Sequence, residues 1–399
     1  MRITGITTLR ADGGWRPFSF LRLETDEGLV GWSEFSEGPW SPAITNVIQA
    51  LGQSVIGDAP RHFALLSERL RATTLFTAGG LSQQAVSAIE NACIDVVAKA
   101  ADLPVYALFG GPFRSEIELY WSHCGSFRVR HPEFFEKVMG KERITKPEDF
   151  RRLGREAIAR GFRAVKTNPI AFDAAGPRLM NPGFNRDGLD FGKTVDQPTL
   201  RAMADQVDAL REGLGPDAGH MFDVNFAYRP EALRRIAQAI APSRPTWLEV
   251  DVHDPAALAA LRAAVGIPIA SLESIYARRG YRPYFQTQAV DVAVVDVPWN
   301  GFAESVRIAA MAEAFEVNVA PHNFYGPLAD LMSAHFCAAA PNIAIMEIEG
   351  DDVPWKYGLL TDAPEIRDGR FVLPSRAGWG ADVNEDAVKE LPWSGRIPA

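Results

Sequence analysis

From Asp223 to Glu347 the sequence keeps a beat of about 25 residues. Short apolar, β-branched runs each close on an ionisable residue: MFD at Asp223, TWLE at Glu249, IASLE at Glu273, VAVVD at Asp296, VNVAPH at His322 and IAIME at Glu347. Between the beats lie stretches such as PEALRRIAQAIA and FAESVRIAAMAEAFE, with apolar residues at helical spacing and few β-branched ones. A repeated strand and helix, with the polar residue always at the strand's C-terminal end, predicts a (β/α) barrel. In that fold the strands are buried on both faces and the C-terminal rim carries the chemistry.

The rest of the chain fits around that repeat. Residues 1–35 alternate as a strand meander (RITGITTLR, FSFLRLETD, GLVGWSEF) with a tight turn at Asp26–Gly28. From about 41 to 108 the pattern is helical, and LSQQAVSAIENACIDVVAKAADL ends before Pro104. Strands followed by helices predict an α+β domain over 1–115, closed by the Gly110–Gly111–Pro112 turn. The barrel is expected over 116–358. It opens with IELYWSH (117–123), a helix near 147–160 and FRAVKTN, and no clear helix follows IAIMEIE, so the barrel reads as (β/α)7β. The segment 169–197, rich in Gly, Pro, Asn and Asp, has no period and interrupts the beat as a long loop. The tail 359–399 is expected to return to the first domain, completing its cap over the barrel.

Composition narrows the function. A net charge of −9 without a Lys/Arg-rich stripe argues against a nucleic-acid partner. No run is long and apolar enough for a membrane span or a signal peptide. The three scattered cysteines, Cys93, Cys124 and Cys337, have no metal-type spacing and suit a reducing compartment. A cytoplasmic protein is expected.

Asp223, Glu249 and Glu273 close three successive strands and should converge on the rim. Carboxylates this close repel and raise one another's pKa unless a cation joins them, and Mg2+ suits their oxygen ligands while leaving room for substrate and water. The bland alternative is three solvated rim acids. Asp296 and His322 end the next two strands, where a carboxylate orients an imidazole and raises its basicity; a His that merely caps the next helix is the alternative. Lys166 faces this anionic site as a cation, or as an ordinary salt-bridged lysine. Glu347 stands beside His322 and, if protonated, could donate to a substrate carboxylate. These parts suit removal of a weakly acidic proton beside a carboxylate, with the metal stabilising an enediolate.

These residues resemble the enolase superfamily, mandelate racemase subgroup. AVSAIENACIDVVAKAADLPVYALFGG is similar to that family's cap-to-barrel connection and PSRAGWGADVNEDAV to its C-terminal return, while MAEAFEVNVAPHNFYGPL resembles the strand-seven region of acid-sugar dehydratases. The resemblance implies a modified TIM barrel with an α+β capping domain and a metal site of Asp223, Glu249 and Glu273. It also implies a His322–Asp296 dyad, Mg2+ as cofactor, a small-molecule carboxylate substrate and a homo-oligomeric state. Racemases of the family carry Lys-x-Lys after strand two, the second Lys being a base; this chain has Lys166-Thr167-Asn168. Some dehydratases with Lys-x-Asn place a His two residues after the first metal ligand, and here that residue is Asn225. The expected activity is dehydration of an aldonate or aldarate to a 2-keto-3-deoxy acid. His322 would serve both proton steps, and Lys166 would hold the substrate carboxylate or swing in as the base. Epimerisation or cycloisomerisation with the same parts is the alternative, and a non-catalytic barrel that binds a sugar acid is a third.

Asn168, Asn225, Trp15, Arg16 and His123 are the candidate substrate-binding residues, His123 also as an acid–base group. The 169–197 segment is expected to be a lid, with an oligomer contact as its alternative. Gly183, Gly188 and Gly192 would be its hinges and Phe172, Leu179, Met180 and Phe184 its apolar cover. Arg178, Asn185 and Arg186 would reach hydroxyls or a distal carboxylate.

Overall fold

The computed structural model describes residues 1–38, 41–174, 176–180 and 193–395. Three strands, β1 (Ile3–Asp12), β2 (Pro17–Thr25) and β3 (Val30–Phe35), form the antiparallel meander. Helices Ile44–Gln53, Phe63–Thr73 and Gly80–Ala100 follow, as their periodicity predicts. The last is buried almost all round, because one side covers the meander and the other meets the barrel. At Gly31 a Cβ would lie 2.1 Å from the Ala92 carbonyl oxygen, so only glycine lets β3 approach the helix backbone this closely.

The barrel begins with β4 (Glu116–Ser122) and β5 (Ala164–Thr167). After β5 a short antiparallel hairpin, β6 (Ile170–Asp173) and β7 (Gly176–Leu179), stands where the sequence reads as aperiodic loop. Four-residue strands are too short to show a period, which is why the pattern hides them. Gly183, Phe184, Asn185, Arg186, Gly188 and Gly192 lie outside the described residues. The ring continues with β8 (Gly219–Asp223), β9 (Trp247–Glu249), β10 (Ile269–Ser271), β11 (Val292–Asp296), β12 (Asn318–His322) and β13 (Met346–Glu349). Neighbours from β4 through β12 pair in parallel, and β13 returns to pair with β4. The β12–β13 junction is a single bridge, Val319–Ile343, rather than a ladder. A helix follows each of the first seven barrel strands and only a short 3-10 turn follows β13, so the order is (β/α)7β. Tyr120, Met221, Trp247, Ala270, Val294 and Ala320 belong to the apolar cluster formed by the strands' inward-facing side chains.

The tail first forms a hairpin, β14 (Ile366–Arg367) and β15 (Arg370–Val372), with β15 antiparallel to the start of β4. Only then does it reach the cap. The Trp379 indole donates to the Trp32 carbonyl at 2.8 Å, Arg22 pairs with Glu385 at 2.9 Å, and Asp12 N donates to the Leu391 carbonyl at 2.8 Å. Cys93, Cys124 and Cys337 are buried free thiols. Among the described residues no helix is long and apolar enough to cross a membrane.

Arg128 ties the barrel's first strand to its last. Buried just after β4, its guanidinium donates twice to Asp351, beyond β13, and twice to Glu156 on the helix Asp149–Ala159, all at 2.8 Å. Burial works against the Glu156 anion, but Arg128 and Lys141 outweigh it and hold its pKa down at about 2. A folded-state pKa below the unfolded value, about 4.3 for glutamate, contributes stability that is full above that value and is lost as pH falls towards 2. Glu156→Gln is therefore expected to lower the unfolding free energy at pH 7, by about 1.5–3 kcal/mol. In denaturant titrations the gap from wild type should shrink between pH 5 and pH 3.

Candidate active site

Parallel pairing sets the site before any side chain is considered. The register places Asp223 opposite Glu249 and Asp296 opposite His322, each the last residue of its strand. Glu273 differs from the sequence expectation. β10 ends at Ser271, and Glu273 sits two residues on, past Leu272 at φ 91. Asp251 holds that turn, accepting from Leu272 N at 3.1 Å and from the Ser274 backbone and hydroxyl. Glu347 is likewise not the end of its strand, since β13 continues to Glu349.

Lys166 lies at the centre. Its Nζ is 2.9 Å from Glu249 Oε1, 2.8 Å from Glu347 Oε1 and 3.8 Å from Asp223 Oδ2, with the side chain 2% exposed. Burial opposes the charge on this lysine, but Glu249 and Glu347 outweigh it and hold its pKa well above the usual value. Glu347 does not donate a hydrogen bond, as a protonated acid would. It accepts from Ser122 Oγ at 2.5 Å and Asn323 N at 2.7 Å, and although burial opposes ionisation, Lys166 and His322 keep its pKa low.

His322 donates from Nδ1 to Asp296 Oδ2 at 2.6 Å, and its Nε2 lies 3.6 Å from Glu273 Oε2. Asp296 also accepts from the Tyr325 hydroxyl at 2.5 Å and from Trp299 N at 2.6 Å, so both its oxygens are bound and the ring's orientation is set. Burial disfavours the charged imidazole, but Glu273 and Asp296 outweigh it and raise its pKa to about 10.

The three predicted metal ligands are not gathered to a point. Among the described residues no three Asp, Glu, His or Cys side chains stand close enough to enclose an ion. Lys166 sits between Asp223 and Glu249, while Glu273 leans towards His322. Their chemistry nevertheless fits a hard divalent cation. Asp223 is raised by its burial and by Glu249, and Glu273 by its burial and by Asp251, which marks negative charge that the protein leaves uncompensated. Neighbouring groups also orient these oxygens: Asn225 and Asn168 donate to Asp223 at 3.0–3.2 Å, and the Trp247 indole to Glu249 Oε2 at 3.0 Å.

Asn168 and Asn225, expected to bind substrate, donate from their side-chain amides to Asp223. Trp15 is enclosed among Phe127, His131, Phe134 and Phe135. Arg16 pairs with Asp352 at 2.8 Å and donates to the Tyr325 carbonyl at 3.3 Å, so the cap loop reaches the turn after β12. His123 follows β4 directly and its Nδ1 lies 3.0 Å from Glu349 Oε2. Arg178 pairs with Asp173 inside the hairpin, and Phe172, Leu179 and Met180 pack on the core. Sequence reading missed Tyr325, Asp251, Trp247 and Glu349. Glu349 and Trp247 had a signal, since each lies two residues from a predicted site residue of its own strand, Glu347 and Glu249, and so on the same strand face.

A (β/α)7β barrel with a cap and rim carboxylates beside a His–Asp pair defines a class of enzyme, and the chain belongs to the mandelate racemase / muconate lactonizing enzyme family of the enolase superfamily. Residues 7–110 match that family's N-terminal domain and residues 149–387 the enolase C-terminal domain-like family. The D-xylonate dehydratase of Haloferax volcanii is 27% identical over 394 residues, covering 97% of this chain and 88% of that protein. The D-galactonate dehydratase of Pectobacterium atrosepticum is 26% identical over 98% of this chain and 94% of its own length. A Burkholderia xenovorans protein provisionally named an L-alanine-DL-glutamate epimerase, solved bound to magnesium and fumarate, is 39% identical. It has a TM-score of 0.94 over 98% of this chain and 96% of that one.

Lys166→Met would leave Glu249 and Glu347 buried without their cation. It is expected to lower the unfolding free energy by about 3–5 kcal/mol, measured by denaturant titration of chelator-treated protein.

Proposed function

We propose that the protein is a Mg2+-dependent dehydratase of an acid sugar, an aldonate or aldarate, yielding a 2-keto-3-deoxy acid. The observation that carries this reading is the His322 geometry: Nδ1 bound to Asp296 at 2.6 Å leaves Nε2 as the reacting nitrogen, on the side of Glu273. Asp223, Glu249 and Glu273 would hold the metal, which when bound supplies Lewis-acid stabilisation as charge develops on the substrate carboxylate. With Glu273 engaged by the metal, its pull on the imidazole would be lost, and the unprotonated His322 Nε2 takes the proton from C2 while Asp296 remains ionised beside the imidazolium that forms. Lys166 offers the carboxylate a positive field. The electron pair from the C2–H bond first passes into the carboxylate as an enediolate; its return forms the C2–C3 double bond as the C3–O bond breaks with its pair going to the departing oxygen. The enol then becomes the 2-keto acid.

The dehydratase relatives support the reaction class, and the solved relative's magnesium and fumarate support a metal and a carboxylate ligand. Epimerisation is the second reading, favoured by that relative's name at 39% identity. Against it, a 1,1-proton transfer needs an acid–base group on the opposite face of the substrate. On β5 and just beyond it, Lys166 is clamped by Glu249 and Glu347, and Asn168 is bound to Asp223.

Incubation with a panel of aldonates and aldarates in deuterated buffer, with Mg2+ or chelator, separates the readings. Dehydration gives 2-keto acid, whereas an epimer deuterated at C2 and no keto acid would overturn it. Glu249→Gln should lose turnover and calorimetric Mg2+ binding while keeping its circular dichroism spectrum; retained Mg2+ binding would remove Glu249 from the metal site. His322→Asn should slow product formation about 10²–10⁴-fold and abolish deuterium exchange at C2. Persisting exchange would assign proton abstraction to another group.

A further inference from the structure

In the reaction above, the hydroxyl leaving C3 must gain a proton to depart as water. We propose that His123, backed by Glu349, is the acid that supplies it; the assignment rests on the dehydration reading.

The parallel register pairs Glu349 with Ser122, so His123 begins one residue past that pair. At φ 47 it adopts a left-handed conformation uncommon for a residue with a Cβ. Its Nδ1 lies 3.0 Å from Glu349 Oε2 and 3.0 Å from Ser122 Oγ, and Ser122 in turn donates to Glu347. The Glu349 side chain is 0% exposed and the imidazole 19%, so the ring is the member of the pair with access to the mouth.

This layout repeats that of Asp296 and His322. In both cases two adjacent parallel strands, β11 with β12 and β13 with β4, supply a buried carboxylate and an imidazole joined through Nδ1. His123 Nε2 has no hydrogen-bond partner among the described residues. The two rings flank one side chain: Phe324 has its centroid 5.2 Å from His322 and 5.5 Å from His123. Both dyads thus border Phe324, and the proton-abstraction step uses only one of them.

The protonation states suit a donor. Burial pushes Glu349 well above the usual carboxylate range and lowers His123 to about 3, although Glu347 pulls His123 upward. At rest Glu349 then carries the proton bound to Nδ1, and the ring's own proton is on Nε2. As the C3–O bond breaks, the oxygen takes the Nε2 proton and Nδ1 takes the proton from Glu349. The ring stays neutral, and the negative charge ends on Glu349. Arg16 is the cation that favours that anion, against Asp351 and Asp352; around His123 the charged neighbours are Glu347, Lys166, His322 and Arg16. The proton gained by His322 and the one lost by Glu349 balance through solvent before the next turnover.

The test uses His123→Gln and Glu349→Gln in deuterated buffer with the panel acid that the wild type turns over fastest. His123→Gln is expected to form 2-keto acid about 100-fold more slowly or worse while C2 deuterium exchange continues, because His322 is untouched. The 3-deoxy-3-fluoro analogue should restore elimination, since fluoride departs without a proton. Glu349→Gln, whose amide can still bond Nδ1 but has no proton to pass on, should show the same split. Exchange and elimination falling together, or neither falling, would overturn the assignment. If His123→Gln does not fold, Glu349→Gln decides by the same readouts. A wild type that epimerises, or dehydrates no panel acid, overturns the dehydration reading and this assignment with it. A wild type that dehydrates, beside unaffected variants, overturns the assignment alone.

Discussion

The C-terminal rim of the barrel depends on one buried ammonium. Lys166 Nζ sits within 2.9 Å of both Glu249 and Glu347, on strands from opposite sides of β5 in the ring. Removing three such charges from water costs several kcal/mol each, and only their close mutual approach offsets it. Without the lysine, Asp223, Glu249 and Glu347 would repel across a space from which water is largely excluded. The lysine therefore holds together the anionic surface to which a divalent cation and a substrate carboxylate would come. The remaining carboxylates, Asp223 and Glu273, resist ionisation because they are buried, with Glu249 adding repulsion at Asp223 and Asp251 at Glu273.

The cap contributes to the same rim through buried polar contacts to backbone. Glu34 on β3 accepts from Gly326, Leu328 and Ala329 N at 2.5–3.0 Å, capping the helix that follows His322. Asn91 accepts from Phe302 N and Glu90 from Ala303 N, just beyond Asp296. Arg16 reaches Tyr325, whose hydroxyl completes the binding of Asp296. Two of the barrel's loops, those after β11 and β12, are thus held in place by another part of the chain. Buried backbone donors cost free energy when left unpaired, so the cap and these loops stabilise one another.

The imidazoles show how a parallel barrel repeats a solution. Adjacent strands bring their C-terminal residues side by side, so a carboxylate on one and a histidine at the end of the next meet without further design. β11 and β12 do this with Asp296 and His322, and β13 and β4 do it across the point where the ring closes, with Glu349 and His123. The second pair is separated by 226 residues in sequence, against 26 for the first. A local pattern can show the first and has no access to the second.

That difference runs through the whole molecule. The recurrence of β-branched runs ending in ionisable residues determined the barrel, its strand order and the identity of Asp223, Glu249, Asp296 and His322 as rim residues. Each of these follows from local periodicity and from the rule that neighbouring strands pair. Tertiary structure alone decided where the charges sit relative to one another. Nothing local in the sequence says that Lys166 lies between Asp223 and Glu249, that the amides of Asn168 and Asn225 donate to Asp223, or that Glu273 stands on a turn held by Asp251. Nor does it show the hairpin Ile170–Leu179, too short for a period, or the tail stopping at β4 before it reaches the cap. Periodicity reports which face of an element is buried, whereas hydrogen bonds and ion pairs depend on distances between elements, and those are set only when the ring closes and the cap docks.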